Sequence, residues 1–284
     1  MVQKLKIGFV DTYENAKLFF IDTLSKRYEV VLDENPDYLF FGDRNFGVKH
    51  LNEQYKNCKK IFFTGENVRP YWSECDHAIS FDHINSPKHY RLPLYVLEMW
   101  AITRDNNPHG IYTYDWLANK PYMDFDEKAQ VKLAYIQSNP YCAPRNEIAQ
   151  KFMQNGKLHS GGPFMNTVGY LVPRDRTLKF DFYRQCMFGA AMENGSYPGY
   201  VTEKLIDCYY AGVVPVYWGS PTIDRDFNPG SYILATTPQE TYDRVMSISK
   251  KEANDILNTM PFLNGLPDVA QLDNFLQWFE RWVK

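Results

Sequence analysis

Short apolar runs alternate along the chain with stretches whose apolar residues recur at helical spacing, and this alternation predicts the elements. Leu5–Val10 reads as a first strand. Asn15–Arg27 then carries Leu18, Phe19, Ile21 and Leu24 on one helical stripe. Tyr28–Leu32 and Tyr38–Gly42 read as strands separated by the breaker pair Asn35-Pro36. Leu51–Cys58 reads as a polar helix, Lys60–Phe63 and Ala78–Phe81 as strands, and Tyr95–Thr103 as a helix. Arg104–Tyr122 is rich in Asn, Pro, Gly and aromatics and reads as a linker. Lys132–Gln137 opens a second series, followed by a helix from about Ala143 to Gln154. Thr241–Thr259 reads as a charged helix or helix pair. Gln271–Lys284 reads as a terminal amphipathic helix, with Leu272, Phe275, Leu276, Phe279 and Val283 on one face. Strands alternating with helices predict an α/β chain with open parallel sheets, whose ligands bind at the carboxyl ends of the strands. The expected domains are 1–128 and 129–262, with the terminal helix at 263–284.

The most informative stretch is Glu193–Pro221. Asn194, Gly195, Ser196, Pro198 and Gly199 make a turn, and Thr202 is placed to cap the helix that follows. Val201, Leu205, Cys208 and Tyr209 fall on one face of that helix, Gly212 stops it, and Val213–Trp218 is an apolar run suited to a buried parallel strand. The start of such a helix attracts anions, because its N–H groups are free and its dipole is positive there. Lys204 adds a full charge, and Glu203 offers acceptors for sugar hydroxyls. Local physics fits a nucleotide-sugar diphosphate there. It fits equally an ordinary loop–helix–strand crossover with a solvated Glu-Lys pair.

Composition narrows the class. The 284 residues suffice for two domains, and 44% hydrophobic with 23% charged residues is normal for a globular protein. The net charge of -3 argues against nucleic acid as the main partner. Five cysteines without a CxxC pair read as reduced thiols in a cytoplasmic chain. The first residues carry no signal peptide, and no window approaches a membrane span. The terminal helix has only Arg281 and Lys284 as basic residues, so its apolar face is expected to pack on protein, with membrane association at most peripheral.

Three further positions carry candidate chemistry. Glu66, in Thr64-Gly65-Glu66-Asn67, sits where a strand ends, and a carboxylate there can serve as general base or be merely solvated. Arg145 falls in the first turn of a helix, where a cation is disfavoured unless an anion joins it. Asp124-Phe125-Asp126 and Asp224-Arg225-Asp226 spell a motif that elsewhere holds a divalent metal, but a three-residue match is cheap, and no metal site is expected. His83 and His89 are read as solvated loop histidines, with acceptor contact as the alternative.

TGEN, SNP followed by PRN, and EN–YVTEK–PVYWGSP, in this order, resemble the bacterial branch of the α-1,3/4-fucosyltransferases, glycosyltransferase family 10. The resemblance runs over roughly residues 5–262. It departs at Met192, where the family usually has Phe, and at His83, where bacterial relatives tend to be acidic. It implies a GT-B fold, two Rossmann-like domains facing a cleft, with the acceptor on the first and GDP-fucose on the second. It implies inverting transfer of fucose to the GlcNAc of Galβ1-4GlcNAc acceptors (Lewis x synthesis), with no metal or other cofactor required for the chemistry. It assigns Glu66 as base and Glu203 as a second catalytic carboxylate. Arg145, Asn194, Tyr200, Glu203 and Lys204 would bind the donor. A GT-B enzyme with another nucleotide sugar, and a non-catalytic glycan- or nucleotide-binding module, are the alternatives.

Overall fold

The computed structural model describes residues 2–105 and 113–283. The chain forms two compact units, Met1–Ala101 with Pro267–Lys284, and Ile102–Leu266.

The first unit carries strands β1 (Lys4–Val10), β2 (Glu29–Leu32), β3 (Tyr38–Phe41), β4 (Lys59–Phe63), β5 (His77–Ser80) and β6 (His89–Arg91). Helix α1 (Glu14–Leu24) joins β1 to β2, and α2 (Leu94–Asp105) follows β6. The strands lie in the order β2-β1-β3-β4-β5-β6, all parallel. Every residue of β3, Tyr-Leu-Phe-Phe, is buried, as a central strand covered on both faces requires. Phe20 of α1 stacks on Phe40 of β3, centroids 4.8 Å apart. Residues 51–58 do not form the expected helix. Two single 3-10 turns, Lys49–Leu51 and Glu53–Tyr55, stand there with the extended Asn52 between them.

The second unit has a short helix α3 (Tyr114–Ala118), then β7 (Gln130–Tyr135), α4 (Ala143–Gln154), β8 (Leu158–Ser160), α5 (Arg176–Tyr183), β9 (Cys186–Met192), α6 (Lys204–Ala211), β10 (Val214–Trp218), β11 (Ile233–Leu234), α7 (Pro238–Ser247) and α8 (Lys250–Asn258). Its sheet, β11-β10-β9-β7-β8, is also parallel throughout. The expected helix pair is α7 and α8. Thr237 and Ser249 cap them by accepting from the N–H of Glu240 and Glu252, three residues on.

Helix α9 (Leu272–Glu280) belongs to the first unit. Its Phe275, Leu276, Trp278 and Phe279 are buried. Phe279 meets Tyr28, Tyr38 and Phe40, and Trp278 Nε1 donates to the Pro87 carbonyl at 2.9 Å. Protein therefore covers the apolar stripe. Among the described residues no helix is long and apolar enough to cross a membrane.

The division between units differs from the boundary expected between 128 and 129. Residues 113–125 are fastened to the second unit by contacts that local sequence does not reveal. Tyr210 Oη donates to the Thr113 carbonyl (3.1 Å), Met123 N to Asn258 Oδ1 (2.7 Å), and the Lys120 ammonium to the Leu257 carbonyl. Residues 106–112 of the expected linker lie outside the described residues.

Each sheet switches the direction of strand addition at its first strand: β1 lies between β2 and β3, and β7 between β8 and β9. In parallel sheets the carboxyl ends flanking such a switch open a crevice for ligands.

Candidate active site

In the second unit the switch falls between β7 and β9, and the residues following these strands meet there. Asn139 and Arg145 follow β7, and Glu193 and Asn194 follow β9. Arg145 is fully buried in the first turn of α4. Its Nη1 donates to Asn194 Oδ1 at 2.5 Å, and its Nη2 donates to the Asn139 carbonyl. Among the described residues its Nε makes no hydrogen bond of ordinary geometry, and neither does the hydroxyl of Tyr135 at the end of β7, although the two side chains interact. Burial pushes the Tyr135 phenol up to about 12, against the pull of Arg145. No carboxylate neutralises this guanidinium among the described residues, and desolvating an unpaired cation is costly.

Glu193 continues β9 by one residue, its N–H donating to the Trp218 carbonyl at 2.8 Å. The carboxylate is fully buried. Room for it comes from Gly219, where a Cβ would lie 2.6 Å from Glu193 Cγ. Glu193 Oε1 accepts from Thr202 N (2.7 Å) and Oε2 from Thr202 Oγ1 (2.6 Å). The hydroxyl of Thr202 is thereby committed to a residue nine positions back, and it does not cap α6. The helix starts one residue later than expected, with Glu203 at the N-cap position. It ends as expected at Gly212, which is left-handed with φ 70°.

Lys204 is nearly buried, and each of its three N–H groups has an acceptor. These are Thr202 Oγ1 at 2.8 Å, Glu193 Oε2 at 3.2 Å and Glu203 Oε1 at 3.2 Å. Burial works against its charge, but Glu193 and Glu203 outweigh that and hold its pKa above the ordinary lysine value. Glu203 is the more open carboxylate, its side chain 24% exposed. Burial opposes its ionisation, yet Lys204, Lys179 and Arg176 keep it well below the usual carboxylate range. Lys179 and Arg176 reach the start of α6 through the buried Asp207, at 2.7 and 3.6 Å. Three carboxylates and three cations thus cancel around the head of α6.

The structure therefore brings Arg145 to Asn194, and Glu203 to Lys204. Tyr200 lies within the fold at 2% exposure. Sequence reasoning assigned no role to Glu193 and took Thr202 only for a helix cap, although both lie inside the motif it singled out; their pairing at nine residues follows no local period.

In the first unit, Glu66 is exposed on the turn after β4. Its N–H donates to Thr64 Oγ1 at 3.0 Å, and that hydroxyl donates to Asp43 Oδ2 at 2.9 Å. Asp43, at the end of β3, is buried and also accepts from Asn45 N at 2.9 Å. The turn bearing Glu66 is thus pinned to the neighbouring strand by a buried carboxylate. His83 is exposed as expected. His89 is not a solvated loop residue: it sits in β6, buried, with Nε2 2.9 Å from Ser80 Oγ, and burial pushes its pKa down to about 4. Among the described residues no group of three or more His, Cys, Asp or Glu side chains could hold a metal ion.

The chain was compared with known proteins. The model of the alpha-(1,3)-fucosyltransferase FucT N-terminal domain matches residues 6–98. That of the glycosyltransferase family 10 (fucosyltransferase) C-terminal region matches residues 126–254. The alpha-(1,3)-fucosyltransferase FucT of Helicobacter pylori is 32% identical over 248 residues, covering 79% of this chain and 50% of that protein. The GDP-fucose protein O-fucosyltransferase 3 of Danio rerio is 28% identical over 259 residues, covering 80% and 52%. The chain spans about half the length of these relatives. A crystal structure of α1,3-fucosyltransferase with GDP-fucose superposes with a TM-score of 0.76 at 25% identity, over 99% of this chain and 90% of that one. The α/β fold with two parallel sheets is that of the GT-B fucosyltransferases. By both family models, which between them span most of its length, the chain belongs to the fucosyltransferases of glycosyltransferase family 10.

Proposed function

We propose that the protein is an inverting α-1,3-fucosyltransferase that moves L-fucose from GDP-fucose to the GlcNAc of N-acetyllactosamine acceptors. The observation that carries this reading is Arg145, a buried guanidinium at a sheet's switch point, in the first turn of a helix, with no carboxylate partner among the described residues. An incoming diphosphate supplies the missing negative charge and takes over the acceptor role now filled by Asn194.

In the reaction Glu66 takes the proton of the acceptor hydroxyl, whose oxygen attacks the anomeric carbon of fucose. The bond to GDP breaks on the opposite face, and its electron pair leaves with the diphosphate. Arg145 and the head of α6 stabilise that departing charge. Lys204 contributes as a fixed charge, since its hydrogens are already shared among Thr202, Glu193 and Glu203. Glu203, ionised and partly open, binds fucose or ribose hydroxyls and faces the positive charge that builds on the sugar. Asn194 lines the donor pocket, and Tyr200 supports it from within. No metal is needed for these steps. The protein works in the cytoplasm, at most peripherally attached to the inner membrane.

The test is GDP release from GDP-fucose with and without N-acetyllactosamine, in EDTA. Acceptor-dependent release inhibited by GDP and not by UDP is expected. Donor binding without release under any acceptor would identify a binding module, and release from another nucleotide sugar would replace the donor. The similarity to a protein O-fucosyltransferase favours one second reading, a polypeptide acceptor. Release stimulated by folded protein acceptors and not by N-acetyllactosamine would establish it.

A further inference from the structure

The turn that carries Glu66 is held from a second side. Arg69 Nη1 donates to Asp82 Oδ1 at 2.5 Å, and its guanidinium lies over the Phe81 ring, 4.3 Å from the centroid. Asp82 is buried, and its other oxygen accepts from Ser80 Oγ at 2.7 Å. A serine hydroxyl has one proton. The His89 Nε2 lies 2.9 Å from the same Ser80 oxygen on its other side. This buried chain of His89, Ser80 and Asp82 fixes the plane of the Arg69 guanidinium, whose planar fork then has a set direction.

The far end of Arg69 falls on Asn67, the residue after Glu66: Nη2 donates to Asn67 Oδ1. A guanidinium has no acceptor, so the carboxamide must turn its oxygen inward. Its nitrogen is left over on an exposed residue, the contact with Arg69 using the oxygen alone. Asn67 therefore presents donors only, in a fixed direction, beside the general base. A hydroxyl meets such a group adequately, because it can accept. A carbonyl oxygen, which can only accept, meets it best.

We infer that Asn67 reads an N-acyl carbonyl on the acceptor sugar and is the residue that prefers N-acetylated saccharides over their hydroxyl counterparts. This deepens the reading above and rests on Glu66 lying at the acceptor site.

Asn67→Asp is the decisive variant. It keeps an oxygen on Arg69 but replaces the outward donor by an acceptor. A hydroxyl can reverse its proton and donate to that carboxylate, whereas a carbonyl cannot. The affinities of the GDP-loaded protein for N-acetyllactosamine and for lactose are measured by calorimetry, and fucose transfer to each is followed separately. The wild type should bind N-acetyllactosamine severalfold and up to about tenfold better than lactose, the scale of one net hydrogen bond. Asn67→Asp should lose or invert that ratio, with lactose affinity, GDP-fucose affinity and melting temperature unchanged. Asn67→Ala should flatten the ratio without inverting it. An unchanged ratio in Asn67→Asp, or a wild type without preference, overturns the inference. Binding that follows this pattern without any transfer would count against the catalytic reading and leave the role of Asn67 standing.

Discussion

The sharpest test of the α6 charge cluster is a double-mutant cycle on Lys204 and Glu193. Their charged atoms are 3.2 Å apart, with the side chains 10% and 0% exposed. At an effective dielectric of about 20, Coulomb's law gives about 5 kcal/mol for that separation, before any desolvation is subtracted. Lys204→Met leaves Glu193 as a buried carboxylate without a cation, a change that typically costs about 3–5 kcal/mol. Glu193→Gln leaves Lys204 with Glu203 and puts an amide N–H where one of the two Thr202 donors had an acceptor. In the double variant neither member of the pair is left as a buried charge without the other, so most of the loss should be recovered. The coupling should reach about 2 kcal/mol or more.

The pH dependence of Lys204→Met has a definite sign. Burial already raises the pKa of Glu193 above its ordinary 4.5, while Lys204 pulls it down. Without Lys204 the folded-state pKa rises further above the unfolded value. The folded protein then holds a proton that the unfolded chain releases, and stability falls as pH rises through that window. Urea unfolding at about pH 5 and about pH 8 should show a larger penalty at the higher pH. A penalty there under about 1 kcal/mol, with coupling near zero, would refute the reasoning. It would mean that Lys204 is held loosely and is free to meet a ligand.

The remaining predictions concern the turn, the guanidinium and the buried histidine. Thr64→Val removes the acceptor of the Glu66 N–H and strands Asp43, so kcat for transfer should fall about tenfold or more while the GDP-fucose KM stays put; Thr64→Ser should restore it, and equal losses in both variants would exclude a positioning role. Arg145→Lys cannot bridge Asn194 and Asn139 at once, so GDP affinity measured by calorimetry should drop at least about tenfold, and retained affinity would remove Arg145 from the phosphate site. His89, near 4 when folded against an ordinary 6.5, stays neutral where the unfolded chain protonates; it should therefore cost up to about 3 kcal/mol of stability as pH falls from about 6.5 towards about 4. His77 has the same depressed value and sign, so urea midpoints of His89→Gln should lose only part of the acid slope, and an unchanged slope would refute this assignment.

How much of this was legible in the sequence depended on whether the cause was local. The apolar runs of β1, β3, β4 and β10 announce themselves, because a buried parallel strand needs nothing but apolar residues on both faces. Arg145 stood out because a cation is disfavoured in the first turn of a helix; Glu66 stood out only through the TGEN motif, since a carboxylate at a strand end is ordinary. β6 was not legible: His-Tyr-Arg has no apolar pattern, and it is a strand only because β5 beside it has an unpaired edge. The start of α6 was misplaced because Thr202 spends its hydroxyl on Glu193 and not on a helix N–H. The unit boundary was misplaced because Thr113, Lys120 and Met123 hold partners that are 97 to 137 residues away in sequence.

The same distinction identifies which buried charge awaits a ligand. Among the described residues of the second unit, two buried cations lack a carboxylate: Lys120 and Arg145. Burial pushes the pKa of Lys120 down to about 8, and its ammonium donates to the Leu257 carbonyl in the last turn of α8. A helix C-terminus is the negative end of the dipole, so Lys120 is satisfied where it stands. Arg145 sits at the opposite kind of terminus, in the first turn of α4, where the dipole opposes it, and its Nε makes no hydrogen bond of ordinary geometry among the described residues. No described element of the fold accounts for that charge. A structural cation would be expected to look like Lys120; one kept for an anion from outside should look like Arg145. If Arg145→Met stabilised the free protein while abolishing GDP binding, that division between structural and ligand-directed charge would hold. If the same variant unfolded the second unit, Arg145 would be structural after all.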